Sequence, residues 1–296
     1  MKVLITGSTG QLGFCLQQTK PNTIRHQAIE CIALGREQAD LSDPASILQQ
    51  LNYHRPDIIV NAAAYTSVDK AESEPEKAKA INADAVKILV DWCDVNCALL
   101  VHVSTDFVFD GNEATAYQTS SLTNPLGIYG ATKLQGEQHV LSSKANAHIV
   151  RTGWVYAEQG ANFVKTMLRL ANERDSLQIV ADQIGTPTYA RHLAQMIWQL
   201  IERNPSPSVW HFSDSGVASW YDFATAIFEE ANQIGLINKS VDLKPIKTSE
   251  YPTPAKRPAF SVLDKERTWK ELDISPIHWR VALRDMLGRL RELQKA

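Results

Sequence analysis

Two side chains four residues apart, Tyr129 and Lys133, are the strongest candidates for chemistry in this sequence. Positions i and i+4 share one face of a helix, so the tyrosine hydroxyl and the lysine amine could act together. A free tyrosine has a pKa near ~10, and a neighbouring ammonium lowers it toward the working pH. Such a pair can supply the proton that a ketone oxygen needs when hydride reduces its carbon. Thr105, at the end of a predicted strand, could hold that oxygen through its hydroxyl group.

A glycine-rich segment follows the first apolar run, Lys2–Thr6, and opens a helix. Its spacing, G-x-x-G-x-x-G, permits a tight turn and a close approach of the backbone to a ligand. The helix N-terminus behind it offers free N–H groups and the positive end of a dipole to a pyrophosphate. In the first strand–helix turn, this spacing indicates a dinucleotide site. Its predicted residues are Gly7, Gly10, Gln11, Leu12 and Gly13.

The other end of the dinucleotide should lie beyond the second strand. Arg36 stands where an NAD site would place an acidic residue, and an arginine there can accept a 2′-phosphate, which favours NADPH. A solvated surface arginine is the alternative. Asp40 and Leu41 could flank the adenine, although Asp40 could equally serve a loop or helix cap. The small residues Ala62, Ala63 and Ala64 close the third strand, where they would let the backbone approach the cofactor or pack tightly on a helix.

Strand and helix signals alternate through the first half of the chain, which must position these residues. Continuous apolar runs are typical of buried parallel strands, and repeated strand–helix–strand units imply right-handed crossovers. We therefore predict an α/β fold, a Rossmann-type doubly wound parallel sheet. The predicted strands are Cys31–Leu34, Asp57–Val60, Ala98–Val103 and His148–Arg151, and the predicted helices are Gln11–Lys20, Ala45–Leu51 (capped by Asp43 and Pro44), Glu76–Cys97 and Leu134–Leu141.

A smaller C-terminal α/β lobe should complete the molecule. We predict a dinucleotide-binding domain at 1–152, completed by about 188–215, and a substrate-binding lobe made of 153–187 and 216–296. Such a lobe would stand over the carboxyl edge of the sheet, where ligands bind in open α/β folds.

Composition and charge exclude several classes of protein. Lys and Arg number 30 against 33 Asp and Glu, so the net charge is −3. The chain therefore lacks the excess of positive charge that is typical of nucleic-acid-binding proteins. No apolar run approaches the roughly 18 residues of a membrane span, and no signal peptide is apparent. The four cysteines form no CxxC pair, and Cys93 and Cys97 are read as semi-buried helix residues. We expect a cytoplasmic protein in a reducing compartment, without a nucleic-acid or membrane partner.

Several segments resemble known enzymes. The motifs GSTGQLG, STD and YGATK resemble the extended short-chain dehydrogenase/reductase superfamily. More narrowly, the chain is similar to the dTDP-4-dehydrorhamnose reductase family in NAAAYTSVDKAESEPEKAKAIN, RTGWVY, NFVKTMLRLA, DQIGTPT and YPTPAKRPAFSVLD. The resemblance implies reduction of the 4-keto group of dTDP-4-dehydro-L-rhamnose to dTDP-L-rhamnose, with NADPH as the cofactor and NADH also accepted.

The resemblance also implies roles for individual residues. Tyr129 would be the proton donor, Lys133 would orient Tyr129 and the nicotinamide ribose, and Thr105 would contact the reacting oxygen. Arg257 would meet the phosphate or base of the nucleotide. The implied sugar pocket consists of Thr66, Val68, Ser104, Asp106 and Trp154.

The sequence departs from the family in two respects, the missing metal ligands and one aromatic residue. Some members bind Mg²⁺ at a dimer interface through acidic residues, but Cys15 and the segment Ala190, Arg191, His192 stand at those positions here. We therefore expect no metal, and a monomer or weak homodimer. Phe107 replaces the tyrosine of many relatives.

Two further functions fit the same fold. One is a non-catalytic regulatory NADP-binding subunit resembling the methionine adenosyltransferase β subunit, which the intact Thr105, Tyr129 and Lys133 disfavour. The other is a different nucleotide-sugar epimerase or dehydratase. A dehydratase would carry an acid–base Glu after STD, where Phe107 cannot transfer protons, and an epimerase would retain its cofactor rather than consume it.

Overall fold

A six-stranded parallel sheet is the frame of the molecule. A computed structural model describes residues 1–295. The strands are β1 (Lys2–Thr6), β2 (Thr23–Ile24), β3 (Gln27–Ala28), β4 (Glu30–Leu34), β5 (Ile58–Asn61), β6 (Leu99–Thr105), β7 (Ala147–Thr152), β8 (Val155–Tyr156), β9 (Ser176–Val180), β10 (Ile184–Gly185), β11 (Thr188–Tyr189), β12 (Val209–His211), β13 (Ala218–Ser219) and β14 (Asp242–Ile246).

Helices connect these strands. They are α1 (Gln11–Gln18), α2 (Pro44–His54), α3 (Val68–Ala71), α4 (Pro75–Lys79), α5 (Ala85–Asn96), α6 (Ile128–Ser142), α7 (Phe163–Glu173), α8 (Ala190–Arg203), α9 (Trp220–Gln233), α10 (Glu266–Leu272) and α11 (Trp279–Lys295). Helices α1, α2, α5 and α8 are among those that cover the two faces of the sheet. A π-helical turn, Ala80–Asp84, joins α4 to α5.

The sheet order is β12-β7-β6-β5-β1-β4, and each neighbouring pair is parallel. The chain moves outward from β1 to β4 and then returns to β5 on the other side of β1. Strand order therefore reverses between β1 and β5, and open α/β folds bind their ligands at the carboxyl ends of strands at such a point. The predicted Rossmann-type α/β fold is confirmed.

Apolar side chains bury the two faces of the sheet separately. Val3, Ile5 and Val60 pack beneath α1 and α8, whereas Leu4, Ile59 and Leu100 pack beneath α2 and α5. Alternate residues of a strand point to opposite faces, which is why these neighbours divide between two clusters. A third cluster, with Phe223 and Leu283, joins α7, α9 and α11 in the C-terminal lobe.

The chain passes between the lobes several times. After β7 it enters the C-terminal lobe, then returns to add α8 and β12 to the sheet. Trp210 of β12 and Leu272 of α10 both belong to the cluster beneath α1 and α8. The division into lobes remains a prediction, with α10 lying on the sheet side although it falls within 216–296.

The predicted helix Glu76–Cys97 differs from the observed one in two ways. It is interrupted by the π-helical turn, and it ends at Asn96, because Cys97 adopts a left-handed conformation with φ of +54°. A left-handed residue is a frequent helix terminator. Cys97 is consequently exposed, not semi-buried as predicted, while Cys93 is buried, and all four cysteines are free thiols. Across residues 1–295, no helix combines the length and apolar composition that a membrane crossing requires.

Candidate active site

Helix α6 carries both Tyr129 and Lys133. It begins at Ile128, six residues before the predicted Leu134, so both side chains lie on the helix at i and i+4 spacing. Tyr129 is partly buried and its ring meets Phe107 edge-on, with ring centroids 5.6 Å apart. Lys133 is almost fully buried, and its Nζ donates to the carbonyl of Val103 at 2.7 Å. The helix thus places the amine against β6 and the phenol near the end of that strand.

A buried ion pair fixes α6 to the sheet. Glu137 lies one turn beyond Lys133, and Arg151 of β7 donates to it through Nε at 3.0 and 3.1 Å and through Nη2 at 2.6 Å. Both side chains are at most 4% exposed. Loss of one partner would leave a buried uncompensated charge, so this pair strongly restricts the position of the helix.

The carboxyl end of β6 supplies three polar residues. Thr105 Oγ1 donates to Asp106 Oδ1 at 3.1 Å and accepts from the backbone N–H of Phe107 at 3.2 Å. Asp106 is buried against Gly153, where an added Cβ would lie 2.4 Å from its carboxylate. Ser104 Oγ is buried, and among the described residues it has no hydrogen-bond partner. The strand end therefore presents hydroxyl and carboxyl groups beside Tyr129.

Burial changes the acidity of this group of residues. Burial raises the pKa of Tyr129 to about 12, while a hydrogen bond with Thr105 acts in the opposite direction. Burial lowers the pKa of Lys133 to about 8, although the negative charge of Glu137 acts to raise it. Burial also raises the pKa of Asp106 to about 6, although hydrogen bonds from Ser261 and Thr105 stabilise its carboxylate. At neutral pH Tyr129 keeps its proton and most Lys133 is ammonium.

The glycine-rich turn forms a cradle that side chains would fill. A Cβ at Gly13 would lie 2.2 Å from the carbonyl oxygen of Gly7, and one at Gly7 would lie 2.8 Å from Ala63 Cα. Gly7 has a φ of +68°, a conformation that favours glycine. No side chain caps α1, and its first turn holds no acidic residue. These features fit a pyrophosphate held by backbone N–H groups at the start of α1.

The predicted adenosine site lies beyond β4. The Arg36 side chain is 68% exposed, and its Nε lies 3.5 Å from Asp40 Oδ2. Asp40 Oδ1 accepts from the backbone and hydroxyl of Ser42, which holds the pKa of Asp40 below its usual value. The side chains of Leu12 and Leu41 are buried in the two sheet clusters, so these residues could reach a cofactor through their backbone.

Gln11 turns toward the C-terminal lobe. Its Nε2 lies 3.4 Å from the carbonyl of Val155, and its Oε1 accepts from Asn162 Nδ2 at 2.9 Å. The other predicted cofactor residues of this region, Gly10, Ala62, Ala63 and Ala64, lie in the turn itself or at the end of β5 beside it.

The π-helical turn contacts both α6 and the loop after β5. Asn82 Nδ2 donates to Thr132 Oγ1 at 3.2 Å and to the carbonyl of Tyr65 at 3.1 Å. Its Oδ1 accepts from the backbone N–H of Tyr65 at 2.8 Å. π-helical turns occur often at functional sites. This one steadies the segment that leads to Thr66, which is exposed, and to Val68, which is partly exposed.

The C-terminal lobe contributes an aromatic wall. Trp154 stacks on Trp220 with ring centroids 3.5 Å apart and an interplanar angle of 3°. An added Cβ at Gly185 would lie 2.6 Å from the Trp154 ring. Trp154 has a φ of +52°, an unusual conformation for a bulky residue and one found often at functional sites.

Arg257 lies in the late proline-rich segment and is already paired. Its Nη2 donates to Asp69 Oδ2 at 2.8 Å, and the backbone N–H of Ala255 donates to Asp69 Oδ1 at 3.2 Å. Arg257 Nη1 also donates to Thr253 Oγ1 at 2.5 Å. The segment is thereby fastened to α3, next to Val68.

Sequence reasoning missed several residues of this site. Thr6, Asn61 and His102 form a buried hydrogen-bonded row that reaches Lys133, and their signal was polarity within otherwise apolar strands. Trp220 was missed because its stacking partner is 66 residues away, and Asp69 because its partner is 188 residues away.

The positions where the resemblance leads us to expect acidic metal ligands in some family members carry different side chains here. Burial raises the pKa of the Cys15 thiol to about 12, so it stays protonated and is a poor ligand for a hard cation. The positive charge of Arg191 is close enough to act on the thiol, and it lowers the pKa of Cys15. Within the described part of the chain, no three His, Cys, Asp or Glu side chains gather as metal ligands.

Comparisons with known proteins agree along the whole chain. The family model described as "RmlD substrate binding domain" matches residues 1–292. The dTDP-4-dehydrorhamnose reductase of Escherichia coli K12 is 40% identical over 297 residues, covering 98% of each chain. The crystal structure of a dTDP-4-dehydrorhamnose reductase from Clostridium acetobutylicum superposes with a TM-score of 0.90 at 35% identity, covering 98% of this chain and 100% of that one. The Bacillus anthracis reductase, solved in complex with NADP, gives 0.88 at 35% identity, covering 97% and 99%.

Proposed function

The chain belongs to the dTDP-4-dehydrorhamnose reductase family, and from this membership we propose that it reduces the 4-keto group of dTDP-4-dehydro-L-rhamnose to dTDP-L-rhamnose with NADPH. The observation that carries the proposal is the placement of Tyr129, Lys133 and Thr105 at one end of β6, beside a glycine turn that fits a dinucleotide. NADPH, when bound, supplies the hydride that is added to C4 of the sugar.

Tyr129 acts as the general acid in this proposal. Its raised pKa keeps it protonated, so it can donate to the oxygen that gains charge as C4 is reduced. The ammonium of Lys133 stabilises the tyrosinate that remains, because a nearby positive charge favours the ionised phenol. Thr105, at the end of β6, would hold the reacting oxygen in reach of the proton.

The cofactor would lie across the switch point between β1 and β5. Gly7, Gly10 and Gly13, with the backbone of Gln11 and Leu12, would bind the pyrophosphate. The backbone at Ala62, Ala63 and Ala64 would border the nicotinamide half, and Lys133 its ribose. Arg36 would meet the 2′-phosphate, with Asp40 and Leu41 beside the adenine.

The sugar nucleotide binds between the sheet edge and the C-terminal lobe. Trp154 offers an aromatic surface backed by Trp220, and Asp106 offers a carboxyl group with an elevated pKa. Ser104, whose hydroxyl has no hydrogen-bond partner among residues 1–295, and Thr66 and Val68 of the adjoining loop would complete the sugar pocket. Arg257 would contact the phosphate or base of the nucleotide, exchanging its bond with Asp69.

A direct assay tests this function. Purified protein is mixed with dTDP-4-dehydro-L-rhamnose and NADPH, cofactor oxidation is followed by absorbance, and the product is identified by NMR. Stoichiometric oxidation with dTDP-L-rhamnose as the product is expected. An isomerised sugar without net oxidation would indicate an epimerase, and tight NADPH binding without turnover would indicate a regulatory subunit.

We also propose that the enzyme works in the cytoplasm as a monomer or weak homodimer, without a nucleic-acid or membrane partner. The net charge of −3 supports the absence of a nucleic-acid footprint. The absence of acidic residues at Cys15 and in the segment Ala190, Arg191, His192 supports independence from a metal-bridged dimer.

A further inference from the structure

Three polar side chains lie in one row across the middle of the apolar sheet. Thr6 of β1 is the register partner of Asn61 of β5, which is the partner of His102 of β6. Register partners in parallel strands point to the same face, here the face that α6 covers. All three side chains are at most 3% exposed, and the proposed mechanism uses none of them.

The row ends at Lys133 through continuous short contacts. Thr6 Oγ1 donates to Asn61 Oδ1 at 2.7 Å, and Asn61 Nδ2 lies 3.1 Å from His102 Nδ1. His102 Nε2 then lies 3.4 Å from Lys133 Nζ, which donates to the carbonyl of Val103 at 2.7 Å.

The donors and acceptors of the row fix the position of the histidine proton. The backbone N–H of Ala63 donates to Thr6 Oγ1 at 3.4 Å, which leaves the hydroxyl proton of Thr6 for Asn61 Oδ1. Asn61 therefore turns its NH₂ group toward His102, and Nδ1 must accept. Burial and the charge of Lys133 hold the pKa of His102 well below its usual value, so the ring is neutral and its single proton lies on Nε2.

We propose that Thr6, Asn61 and His102 are positioning residues that present an N–H donor to Lys133 Nζ and thereby disfavour the ammonium form of Lys133. An ammonium facing Nε2–H would place two donors together at 3.4 Å, whereas an uncharged amine could accept a hydrogen bond from Nε2–H. The proposal rests on the proposed function, because it concerns a member of the catalytic set.

The other groups around Lys133 include some that raise its pKa and some that lower it. Burial lowers its pKa to about 8, and the carboxylate of Glu137 on the same helix raises it. Glu137 is itself neutralised by Arg151 of β7. From β6, His102 and the carbonyl of Val103 face the amine, and Asp106 and Tyr129 lie at the strand end. The row therefore works with burial to bring the loss of the Lys133 proton near the working pH.

The consequence should appear in the alkaline limb of the pH profile. Activity requires the ammonium, so kcat/KM should fall as pH rises through the pKa of Lys133 in the free enzyme. In Thr6→Val, Asn61 loses its hydroxyl donor and can turn its oxygen toward the ring. His102 would then carry its proton on Nδ1 and accept from the ammonium. A hydrogen bond to a charged group should move the alkaline limb upward by about one pH unit.

Thr6→Ser is the matched control, because it keeps the hydroxyl and should keep the wild-type limb. If Thr6→Val does not fold, Asn61→Asp tests the same point, since its carboxylate accepts from both neighbours and should also move the limb upward. An unchanged limb in a folded Thr6→Val or Asn61→Asp enzyme would overturn the proposal.

A second readout does not depend on activity. The ¹⁵N spectrum of histidine-labelled wild-type protein, with His102 assigned by its absence in His102→Gln, reports which ring nitrogen carries the proton. We expect Nε2–H in the wild type and Nδ1–H in Thr6→Val. A wild-type Nδ1–H tautomer would refute the proposed order of donors and acceptors along the row. A protein that shows Nε2–H but does not reduce the keto sugar would contradict the proposed function and leave the row's polarity supported.

Discussion

Replacing Arg36 by alanine should reduce the preference for NADPH over NADH without weakening NADH. The side chain is 68% exposed, so its interaction with a 2′-phosphate takes place at nearly the dielectric constant of water. Two charges on the phosphate at ~4 Å from the guanidinium would then contribute ~2 kcal/mol, or roughly 30-fold in affinity. Screening at physiological salt reduces this to ~1.2 kcal/mol, about eightfold.

The ion pair with Asp40 reduces the effect further. Arg36 must give up part of its contact at 3.5 Å with Asp40, and exposed pairs of this kind are worth ~0–1 kcal/mol. We therefore expect Arg36→Ala to raise KM for NADPH by roughly 1.5- to eightfold at physiological salt, and by more at low salt. Asp40→Asn should act in the opposite direction, because it frees Arg36 while an amide oxygen can still accept from Ser42.

Steady-state kinetics with each cofactor at two salt concentrations would measure these changes. Arg174→Ala, which removes an exposed charge from the C-terminal lobe, is the control for a general loss of positive charge and should change neither KM. The reasoning fails if the wild type prefers NADH, or if Arg36→Ala weakens both cofactors equally.

Three further predictions follow from the site and its surroundings. Tyr129→Phe should lower kcat by ~10²–10⁴-fold while NADPH binding, measured by fluorescence, is retained. Tyr53→Phe, at a side chain 80% exposed, is the control. Near-normal turnover of the Tyr129 variant would show that Tyr129 is not the proton donor. Activity and oligomeric state should both survive EDTA, because Cys15 and Arg191 cannot supply hard oxygen ligands; dissociation with loss of activity on chelation would contradict this. Burial lowers the pKa of His148 to about 4, below an unfolded value near ~6.5, so its stabilising contribution is complete above that value and is lost as pH falls toward the folded value. Urea unfolding should therefore show a loss of ~2 kcal/mol from this residue between pH ~6.5 and ~5, and the same loss in His148→Gln would argue against it.

Much of the fold followed from local patterns. Apolar runs marked five of the six strands of the sheet. Asp43 with Pro44 marked the start of α2, where Asp43 Oδ1 accepts from the N–H of Ala45 at 2.9 Å. The start of α6 was predicted too late, because Gly127 and Gly130 weaken the helical signal that packing restores. The π-helical turn depends on Asn82 meeting α6 and Tyr65, contacts that sequence periodicity does not contain.

The chemistry of the site was only partly visible in the sequence. The spacing of Tyr129 and Lys133 predicted their shared helical face, which the structure has. The pairing of Arg36 with Asp40 and of Arg257 with Asp69 could not be predicted, because each depends on the path of a loop. The row of Thr6, Asn61 and His102 depends on strand register, which becomes known only when three strands are placed side by side.

The repeated passage of the chain between the lobes has a consequence for synthesis on the ribosome. Strands β1 to β7 emerge early, but the apolar face with Val3 and Ile5 is covered only in part, by α1, until α8, Trp210 and Leu272 have been translated. A nascent chain halted after β7 would therefore expose the rest of that face to water and to other nascent chains. The predicted dinucleotide-binding domain can therefore become a stable folded unit only after residues well beyond 152 have been translated.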